Sequence, residues 1–397
     1  MWEAAFERVV RAIIVRDRLH ITLPSGRRFT TGDGPRELAV RIRDRRWLRA
    51  ILASPDLGLA EGYMEGDIEI ENDDLRLLLS IALGNTTAGN RHALNRVQLA
   101  VRRRLRAVEQ WNPASRARQN VAHHYDLSRE LYDIFLDEDR QYSCAYFRSP
   151  QDTLEQAQLQ KKRHIARKLL IEPGMRVLDI GCGWGGMGLT LASEFGARVT
   201  GVTLSTEQHA MATQRAEDAG LSDRVEFLLA DYRDLDRQFD RIVSVGMFEH
   251  VGVPHYDEYF GKVRDMLTED GIALIHTIGR SDPPGSTSPF IAKYIFPGGY
   301  IPALSETAAA IERQRLVTAD IEVWRLHYAE TLRHWEERFS AGIERARALY
   351  DDRFCRMWRF YLIASEMSFR AGTQIVFQFQ LSRRNDAVPI TRDYLYS

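Results

Sequence analysis

Short apolar runs alternate with amphipathic segments between residues 175 and 279. The apolar runs predict five buried strands, at 175–180, 198–203, 225–230, 241–247 and 271–279. The segments between them repeat apolar residues at helical spacing and predict helices at 187–196, 206–219 and 256–268. Strands that alternate with helices in this way predict βαβ units and a parallel sheet covered by helices on both faces.

The N-terminal part of the chain follows a different pattern. Apolar and arginine residues recur at helical spacing in 36–54 and 93–111, which predicts two helices. Residues 56–72 alternate in polarity and contain several glycines, which predicts short strands and turns. We therefore expect a small mixed domain over residues 1–118 and an α/β domain over residues 119–397.

A glycine turn follows the first predicted strand of the α/β domain. Gly181, Gly183 and Gly186 fit G-x-G-x-x-G, a pattern shared by dinucleotide sites and S-adenosylmethionine sites. The second predicted strand leads into TLST (203–206), which offers no acidic residue for the ribose diol of a nicotinamide cofactor. The acidic Asp179 before the turn suits the amino end of a methionine moiety better than a pyrophosphate.

Further polar residues follow the third predicted strand. Asp231 and Tyr232 stand where an adenine ring needs a hydrogen-bond partner for its edge and a neighbour for its face. Each such residue taken alone could cap a helix or a turn. Several of them on successive strand ends favour S-adenosylmethionine as the cofactor.

The composition is that of an ordinary globular protein, since 44% of the 397 residues are hydrophobic. No apolar run approaches the roughly 20 residues needed to cross a bilayer, and the N-terminus is acidic where a signal peptide starts basic. Cys144, Cys182 and Cys355 are too few for a disulfide framework and lack the spacing of a zinc site. We expect a reducing, cytoplasmic compartment and no bound metal.

The net charge of −1 hides an asymmetry along the chain. Residues 1–120 contain 21 Arg, no Lys and 15 acidic residues, so this part carries +6 and the remainder −7. A basic part could meet anionic lipid or nucleic acid, although a solvated arginine-rich surface explains it as well. No base-stacking or groove-reading module accompanies it, so we do not expect a nucleic-acid partner.

Eight segments, in this order, resemble the cyclopropane-fatty-acyl-phospholipid synthase family, which includes the mycolic acid cyclopropane synthases. They are YSCAYF (142–147), VLDIGCGWGG (177–186), GVTLSTEQ (201–208), ADYRDL (230–235), FDRIVSVGMFEHVG (239–252), LIHTIG (274–279), KYIFPGG (293–299) and HYAETLRHW (327–335). The resemblance runs from about residue 120 to the C-terminus. LGLAEGYMEGDIEIE (57–71) also resembles the smaller domain of the full-length phospholipid enzymes.

The resemblance implies a Rossmann-like class I S-adenosylmethionine-dependent methyltransferase with a helical lipid-binding cap, plus the small N-terminal domain. Members of the family add the methyl carbon of S-adenosylmethionine across a cis double bond of an acyl chain. A bound bicarbonate then removes a proton from the added methyl and closes the ring.

Carried over position by position, the family's bicarbonate site would comprise Cys144, Glu249, His276, Ile278 and Tyr328. Cys144 is then part of the floor of this site rather than a nucleophile. The expected cofactor residues are Tyr142, Ser143, Asp179, Gly181, Gly183, Thr203, Leu204, Ser205, Gln208, Asp231 and Tyr232.

The chemistry of the residues agrees with this assignment. An alkene that attacks a sulfonium methyl leaves a carbocation, so the site needs a nearby base. Neighbouring strands could bring Glu249 and His276 together, where they would position a small anion and pass on its proton. A histidine in an apolar strand is more often a core residue, but the adjacent cofactor edge favours a function here.

Aromatic faces can also stabilise a cation, although core packing explains any single aromatic residue equally well. The candidates are Tyr142, Tyr146, Phe147 and Phe248.

One position departs from the family pattern. A catalytic cysteine has been proposed in the C-terminal helix, and the match of YLIASEMSFR (361–370) places Ser365 there. We interpret Ser365 as a sign that covalent catalysis is not required, although it could signal an altered substrate or outcome. The alternatives are a methyl-branched or methylene fatty acid synthase, an amine methyltransferase of the plant alkaloid type, and a non-catalytic lipid- or S-adenosylmethionine-binding protein.

Residues 283–320 interrupt the sheet pattern with proline, glycine and large apolar residues. In the family, this segment helps to form the lipid channel. An unsaturated phospholipid resides in a bilayer, so we expect a cytoplasmic protein that binds peripherally to the inner face of the membrane through its arginine-rich N-terminal helices. The resemblance also suggests a homodimer.

Overall fold

A computed structural model describes residues 1–87 and 128–396. Contacts divide these residues into two compact units. The first comprises residues 1–87, 286–297 and 332–374, and the second comprises residues 128–285, 298–331 and 375–396. The boundary predicted at residue 118 and the helix predicted at 93–111 lie outside the described residues.

The first unit contains a four-stranded sheet and several helices. Its strands are β1 (Arg16–Thr22), β2 (Arg28–Thr31), β3 (Asp33–Ile42) and β4 (Ile68–Ile70). Its N-terminal helices are α1 (Trp2–Ile13), α2 (Arg45–Ala53), α3 (Pro55–Met64) and α4 (Leu75–Thr87). The strand order is β2-β1-β3-β4, with β1 antiparallel to β2 and parallel to β3.

Two predictions for this unit are wrong in part. The predicted helix at 36–54 begins as strand β3, in which Leu38, Val40 and Ile42 are buried on one face with a period of two. Most of the glycine-containing segment 56–72 is helix α3 rather than turns. Gly58 lies so close to α2 that a Cβ there would stand 2.5 Å from the Ala50 carbonyl carbon, so this glycine permits helix packing.

The second unit contains a seven-stranded sheet. Its strands are β5 (Arg176–Ile180), β6 (Arg198–Thr203), β7 (Val225–Leu229), β8 (Phe239–Val245), β9 (Leu267–Arg280), β10 (Val317–Trp324) and β11 (Gln374–Ser382). Its order is β10-β11-β9-β8-β5-β6-β7. Strands β5 to β9 pair in parallel, and β10 and β11 pair antiparallel.

Helices of the second unit accompany this sheet. They are α5 (Arg129–Phe135), α6 (Leu154–Lys168), α7 (Gly186–Phe195), α8 (Thr206–Asp218), α9 (Tyr256–Met266) and α10 (Leu304–Arg313). Further helices follow, namely α11 (His327–Ala341), α12 (Ile343–Leu349) and α13 (Asp352–Arg370), and from residue 332 onward they belong to the first unit.

Both faces of the seven-stranded sheet are buried. Leu178 and Ile180 join one apolar cluster while Val177 joins another, as expected for a strand with helices on both sides. The five predicted strands and the βαβ pattern are confirmed, whereas β10 and β11 were not predicted. Among the described residues, no helix is both long and apolar enough to span a bilayer.

Candidate active site

A cavity lies at the carboxyl ends of strands β5 to β8. Residues that follow these strands line it, namely Gly181, Leu204, Asp231 and Gly246. Residues 140–143, in the loop between α5 and α6, form another part of its wall. This is the edge at which open α/β sheets bind their ligands, and we call this space the cofactor cavity.

The glycine turn brings backbone to the cavity wall. Gly181 and Gly183 have φ values of 80° and 53°, a left-handed conformation that glycine adopts without strain. The amides of Gly181 and Cys182 both donate to the Val202 carbonyl at 3.0 Å, which turns the chain from β5 toward α7. A Cβ at Gly183 would meet no described atom within 4 Å, so the backbone there borders open space.

The structure gathers the predicted cofactor residues, with one exception. Those that line the cavity are Tyr142, Ser143, Asp179, Gly181, Gly183, Thr203, Leu204, Gln208, Asp231 and Tyr232. Ser205 does not line it, because its hydroxyl caps α8 by accepting a hydrogen bond from the Gln208 amide at 3.3 Å. Ser205 is therefore a helix-capping residue here, which is the alternative to a cofactor contact that the sequence left open.

Asp179 is one of two buried carboxylates that line this cavity in the described part of the chain, the other being Asp231. Asp179 is 2% exposed, and its Oδ2 atom has no hydrogen-bond partner among the described residues. Burial raises the pKa of Asp179 to about 7, and the positive charge of Lys161 opposes this rise. An unpartnered carboxylate oxygen fits the amino group of the methionine end of S-adenosylmethionine.

Asp231 already has a cationic partner. Arg233 donates from Nε and Nη2 to the two carboxylate oxygens at 2.9 and 2.6 Å, and its backbone amide also bonds to Asp231. Asp231 therefore holds the turn after β7 while lining the cavity. Its contact with an adenine edge stays a prediction.

Sequence reasoning missed several lining residues. They include Trp184, Met187, Met247, His250 and His255. Trp184 lies inside the quoted glycine motif, and Met247 and His250 lie close to Glu249, so their positions were the available signal. Burial lowers the pKa of His250 to about 4, so this imidazole is neutral at physiological pH.

A second group of polar residues lies at the ends of β8 and β9. Glu249 lies in a short helical turn after β8, and its Oε1 accepts a hydrogen bond from the Ile278 amide at 2.6 Å. Its Oε2 is buried and has no partner in the described part of the chain. Burial raises the pKa of Glu249 to about 7, so this carboxyl group can exchange a proton near neutral pH.

His276 lies two residues before Ile278 on β9 and is fully enclosed. Its Nδ1 lies 3.0 Å from the Gln378 side-chain amide, which fixes the ring. Burial lowers the pKa of His276 well below its ordinary value, so the ring is neutral. We call Glu249, His276 and Ile278 the Glu249 cluster.

Cys144 and Tyr328, the other predicted anion-site residues, are both buried. The Ala145 amide donates to Thr331 Oγ1 at 3.0 Å, which fixes the chain next to Cys144 against the helix that carries Tyr328. Burial raises the pKa of the Cys144 thiol, so this thiol is protonated. None of the five predicted anion-site residues lines the cofactor cavity, but their neighbours Ser143, Met247 and His250 do.

The aromatic candidates have different surroundings. Tyr146 stacks on His164 and His327, with ring centroids 4.5 and 4.8 Å apart. Phe248 packs in the core against Tyr256, and Tyr142 lines the cofactor cavity. Of the four, Tyr142 is the one that the structure places at that cavity.

The remaining candidates concern metals and thiols. Residues 1–87 and 128–396 contain no group of three or more His, Cys, Asp or Glu that could hold a metal ion. Cys182 and Cys355 are buried and free, and Ser365 lies half-buried within α13 of the first unit.

Comparison with known proteins reveals extended similarity. Residues 113–379 match the family described as mycolic acid cyclopropane synthetase. The chain is 40% identical over 354 residues to the cyclopropane-fatty-acyl-phospholipid synthase of Escherichia coli (strain K12), covering 89% of each protein. It is 37% identical over 348 residues to the tuberculostearic acid methyltransferase UfaA1 of Mycobacterium tuberculosis, covering 82% of this chain and 79% of that protein.

A solved structure shows the same fold. The mycolic acid cyclopropane synthase CmaA1, crystallised with SAH and CTAB, matches with a TM-score of 0.64 at 33% identity. The match covers 68% of this chain and 99% of that one, and it confirms the predicted Rossmann-like methyltransferase fold. SAH is S-adenosylhomocysteine, the product that S-adenosylmethionine leaves, so the match supports S-adenosylmethionine as the cofactor. The chain therefore belongs to the cyclopropane synthase family of S-adenosylmethionine-dependent methyltransferases.

Proposed function

We propose that this enzyme is a cyclopropane-fatty-acyl-phospholipid synthase, which transfers a methylene group from S-adenosylmethionine to a cis double bond of a phospholipid acyl chain. The Glu249 cluster carries the proposal, because it places a buried, unpartnered carboxylate oxygen beside residues that line the cofactor cavity. The similarity to the enzyme of Escherichia coli, at 40% identity, supports phospholipid as the substrate class.

The proposed reaction needs a base but no nucleophilic side chain. The π electrons of the alkene form a bond to the methyl carbon while the carbon–sulfur bond breaks and S-adenosylhomocysteine leaves. The resulting carbocation loses a proton from the transferred methyl, and the electrons of that C–H bond close the three-membered ring. In a buried, weakly solvated site, an anionic base held by fixed hydrogen bonds interacts strongly with the carbocation.

We propose that bicarbonate, when bound at the Glu249 cluster, supplies this base. The residues fit a small hydrogen-bonding anion. The neutral His276 ring has one N–H to donate, and Tyr328 adds a hydroxyl group. Glu249, whose pKa burial raises to about 7, can hold or release a proton near neutral pH and would pass the substrate's proton onward.

The decisive experiment is a product analysis. The purified full-length protein is incubated with S-adenosylmethionine and liposomes of cis-unsaturated phospholipid, and the fatty acids are identified by mass spectrometry and proton NMR. We expect one added carbon per modified chain and the high-field signals of cyclopropane protons. If no carbon is added to any lipid, the phospholipid proposal is wrong.

A second candidate follows the same path but loses the proton elsewhere, which leaves a methyl-branched or methylene fatty acid. Two observations favour it as the alternative. Ser365 occupies the position at which the family resemblance led us to expect a cysteine. The relative UfaA1, at 37% identity, is a tuberculostearic acid methyltransferase. The same product analysis separates the two candidates, because only the cyclopropane gives high-field ring protons.

A non-catalytic lipid- or S-adenosylmethionine-binding role is the third candidate, and Ser365 is the residue that motivates it. Binding of S-adenosylhomocysteine by the purified protein, without turnover on any lipid, would support it. The observation against it is the Glu249 cluster, since a buried carboxyl group that can exchange a proton near neutral pH and does not line the cofactor cavity fits catalysis better than passive binding.

We further propose that the protein acts as a homodimer in the cytoplasm and binds peripherally to the inner face of the membrane. Helix α1 buries Phe6 but leaves Trp2 49% exposed, which suits an interfacial contact. Residues 286–297 lie within the first unit and would form part of the lipid-binding cap. Flotation with neutral and anionic vesicles tests the contact, and equal binding to both would exclude an electrostatic contribution.

A further inference from the structure

Lys161 is a fully buried lysine beneath the cofactor cavity. It lies on α6, and its ammonium group donates to Gln141 Oε1 at 2.9 Å and to Ser143 Oγ at 2.8 Å. Both acceptors belong to residues that line the cavity, whereas Lys161 itself does not. A buried ammonium group is unfavourable unless it is paired, so a lysine at this position indicates a specific role.

The same face of α6 holds the backbone of the cavity loop. The Gln158 side chain donates to the carbonyls of Gln141 and Ser143 at 3.2 and 3.0 Å. Two successive positions on this face, three residues apart, therefore fix both the backbone and the side chains of the loop. Unlike Gln158, Lys161 also brings a positive charge to this site.

The charge of Lys161 acts on a carboxyl group with an unsatisfied oxygen. Asp179 lines the cavity, and its Oδ2 has no described hydrogen-bond partner. Lys161 lowers the pKa of Asp179 against the larger opposing effect of burial. Without this cation the carboxyl group would hold its proton to higher pH, so a smaller fraction would be ready to pair with an ammonium group.

We propose that Lys161 is a positioning residue for the cofactor, whose ammonium group holds Gln141 and Ser143 at the cavity wall and whose positive charge favours the carboxylate form of Asp179, which would pair with the amino group of S-adenosylmethionine. The proposal rests on the cofactor site proposed above. It assigns Lys161 a role through its neighbours, since it touches neither the cavity nor the reacting atoms.

Other titratable groups on the surrounding elements interact with Lys161, and the titration of each can contribute to a measured pH profile. Burial lowers the pKa of Lys161 to about 8, and Asp137 and Asp139 oppose this change. The groups that interact with Lys161 are Asp137, Asp139, Cys144, Lys162, Asp179 and His276. Asp139 is itself paired with Lys162 and Arg215, so it does not replace Asp179 as the group facing the cofactor.

The test compares binding of two ligands by the full-length protein across a range of pH. S-adenosylhomocysteine keeps the amino-acid end of the cofactor, and 5′-methylthioadenosine lacks it. We expect Lys161→Met to weaken S-adenosylhomocysteine about tenfold or more near about pH 6.5, with a smaller loss near about pH 8.5, because one unit of pKa corresponds to about a factor of ten. Binding of 5′-methylthioadenosine should change little.

Lys168→Met is the matched control. Lys168 lies on the same helix, is equally buried, and pairs with Glu322 and Asp320 instead of the cavity loop. It should lower thermal stability without changing the pH dependence of ligand binding. If Lys161→Met weakens both ligands by the same factor at every pH, the residue is merely structural and the proposal is overturned.

If the variant does not fold, a measurement on the wild-type protein still tests the step of the proposal that runs through Asp179. The ratio of affinities for the two ligands should rise as pH increases through about 7, since Asp179 becomes ionised there. A flat ratio would contradict the proposal. If S-adenosylhomocysteine does not bind at all, the proposed cofactor site fails, which is a different result from an unchanged pH dependence.

Discussion

Asp179 and Glu249 are two buried carboxylates with similar pKa values and different surroundings. Each has one oxygen without a described partner, and burial raises the pKa of each to about 7. Lys161 acts on Asp179, whereas Glu249 is anchored by the Ile278 amide and has no described cationic partner. The cation favours the carboxylate form that a ligand-binding group needs, and its absence leaves Glu249 suited to proton exchange.

Burial alone does not assign a role to a carboxyl group. Burial raises the pKa of both groups, and the neighbouring charge decides which protonation state serves the function. Substitutions at the two positions should therefore fail in different ways. Loss of Asp179 should weaken cofactor binding, and loss of Glu249 should slow turnover.

The largest effect is expected for Glu249→Gln. The amide cannot take the proton on from the bound bicarbonate, so kcat should fall by roughly 10²- to 10⁴-fold, the range for loss of a general acid–base group. Binding of S-adenosylhomocysteine should be unchanged, because Glu249 does not line the cofactor cavity. Steady-state turnover and isothermal titration calorimetry measure the two quantities.

The control for this prediction is Glu269→Gln, which makes the same substitution at an exposed position on β9. It should leave turnover unchanged. Equal losses of kcat and of S-adenosylhomocysteine affinity in Glu249→Gln would remove the distinction between the two carboxylates.

Asp179→Asn should have the next largest effect. It removes a charge-assisted hydrogen bond to the amino group, which is worth about 1.5 to 3 kcal/mol, so affinity for S-adenosylhomocysteine should fall about 10- to 100-fold. At saturating cofactor, kcat should change much less. Asp236→Asn, at an exposed position after β7, is the control. A large loss of kcat with unchanged affinity would contradict the assigned role.

Gln378→Leu should have a smaller effect, because it acts on turnover through His276. The Gln378 amide lies 3.0 Å from His276 Nδ1, and loss of one neutral hydrogen bond is worth about 1 kcal/mol, or roughly a fivefold fall in kcat. Cofactor affinity should not change. Gln378→Glu has the same size but places an acceptor opposite Nδ1, which moves the ring N–H to that atom, so turnover should stay low, whereas a purely steric role would tolerate this variant.

The pKa shift of Asp179 also predicts an effect on stability. Its pKa in the folded protein is about 7 and its ordinary value is 3.8, so the folded state keeps a proton that the unfolded chain releases. The stability that protonated Asp179 contributes is therefore fully present at low pH and is lost as pH rises through about 7. Asp179→Asn should raise the melting temperature by a few degrees near about pH 8, and the gain should vanish near about pH 4. A gain of equal size at both pH values would exclude this origin.

The sequence predicted the cofactor edge better than the Glu249 cluster. Apolar runs of period two or 3.6 specify β5 to β9 and their helices, and the ends of parallel strands must meet at one edge. Gly183 and Asp179 could therefore be placed at the cavity from sequence. The bond between Glu249 and the Ile278 amide joins two strand ends 29 residues apart, and no local pattern encodes it.

Other features escaped prediction for physical reasons. Lys161 and Gln158 look like the polar face of an ordinary surface helix, yet they are buried under the cavity loop. Gly58 was interpreted as a turn residue because close packing of α3 on α2 is not visible in sequence. Strands β10 and β11 are separated along the chain by helices α11 to α13, so their antiparallel pairing depends on contacts between residues distant in sequence.

The smallest effect is expected for Ser365→Cys. This variant tests whether a thiol in α13 contributes to a reaction that is assigned to the two carboxylates. The substitution changes one atom of a half-buried side chain within α13, so stability and turnover should stay within about twofold of the wild-type values. Because the proposed ring closure needs a base and no nucleophile, the product pattern seen by mass spectrometry should also be unchanged. Ser365→Ala is the matched control for loss of the hydroxyl. Cyclopropane formed by the cysteine variant but not by the wild-type protein would show that Ser365 marks a different outcome of methyl transfer, and the role assigned to Glu249 would then need revision.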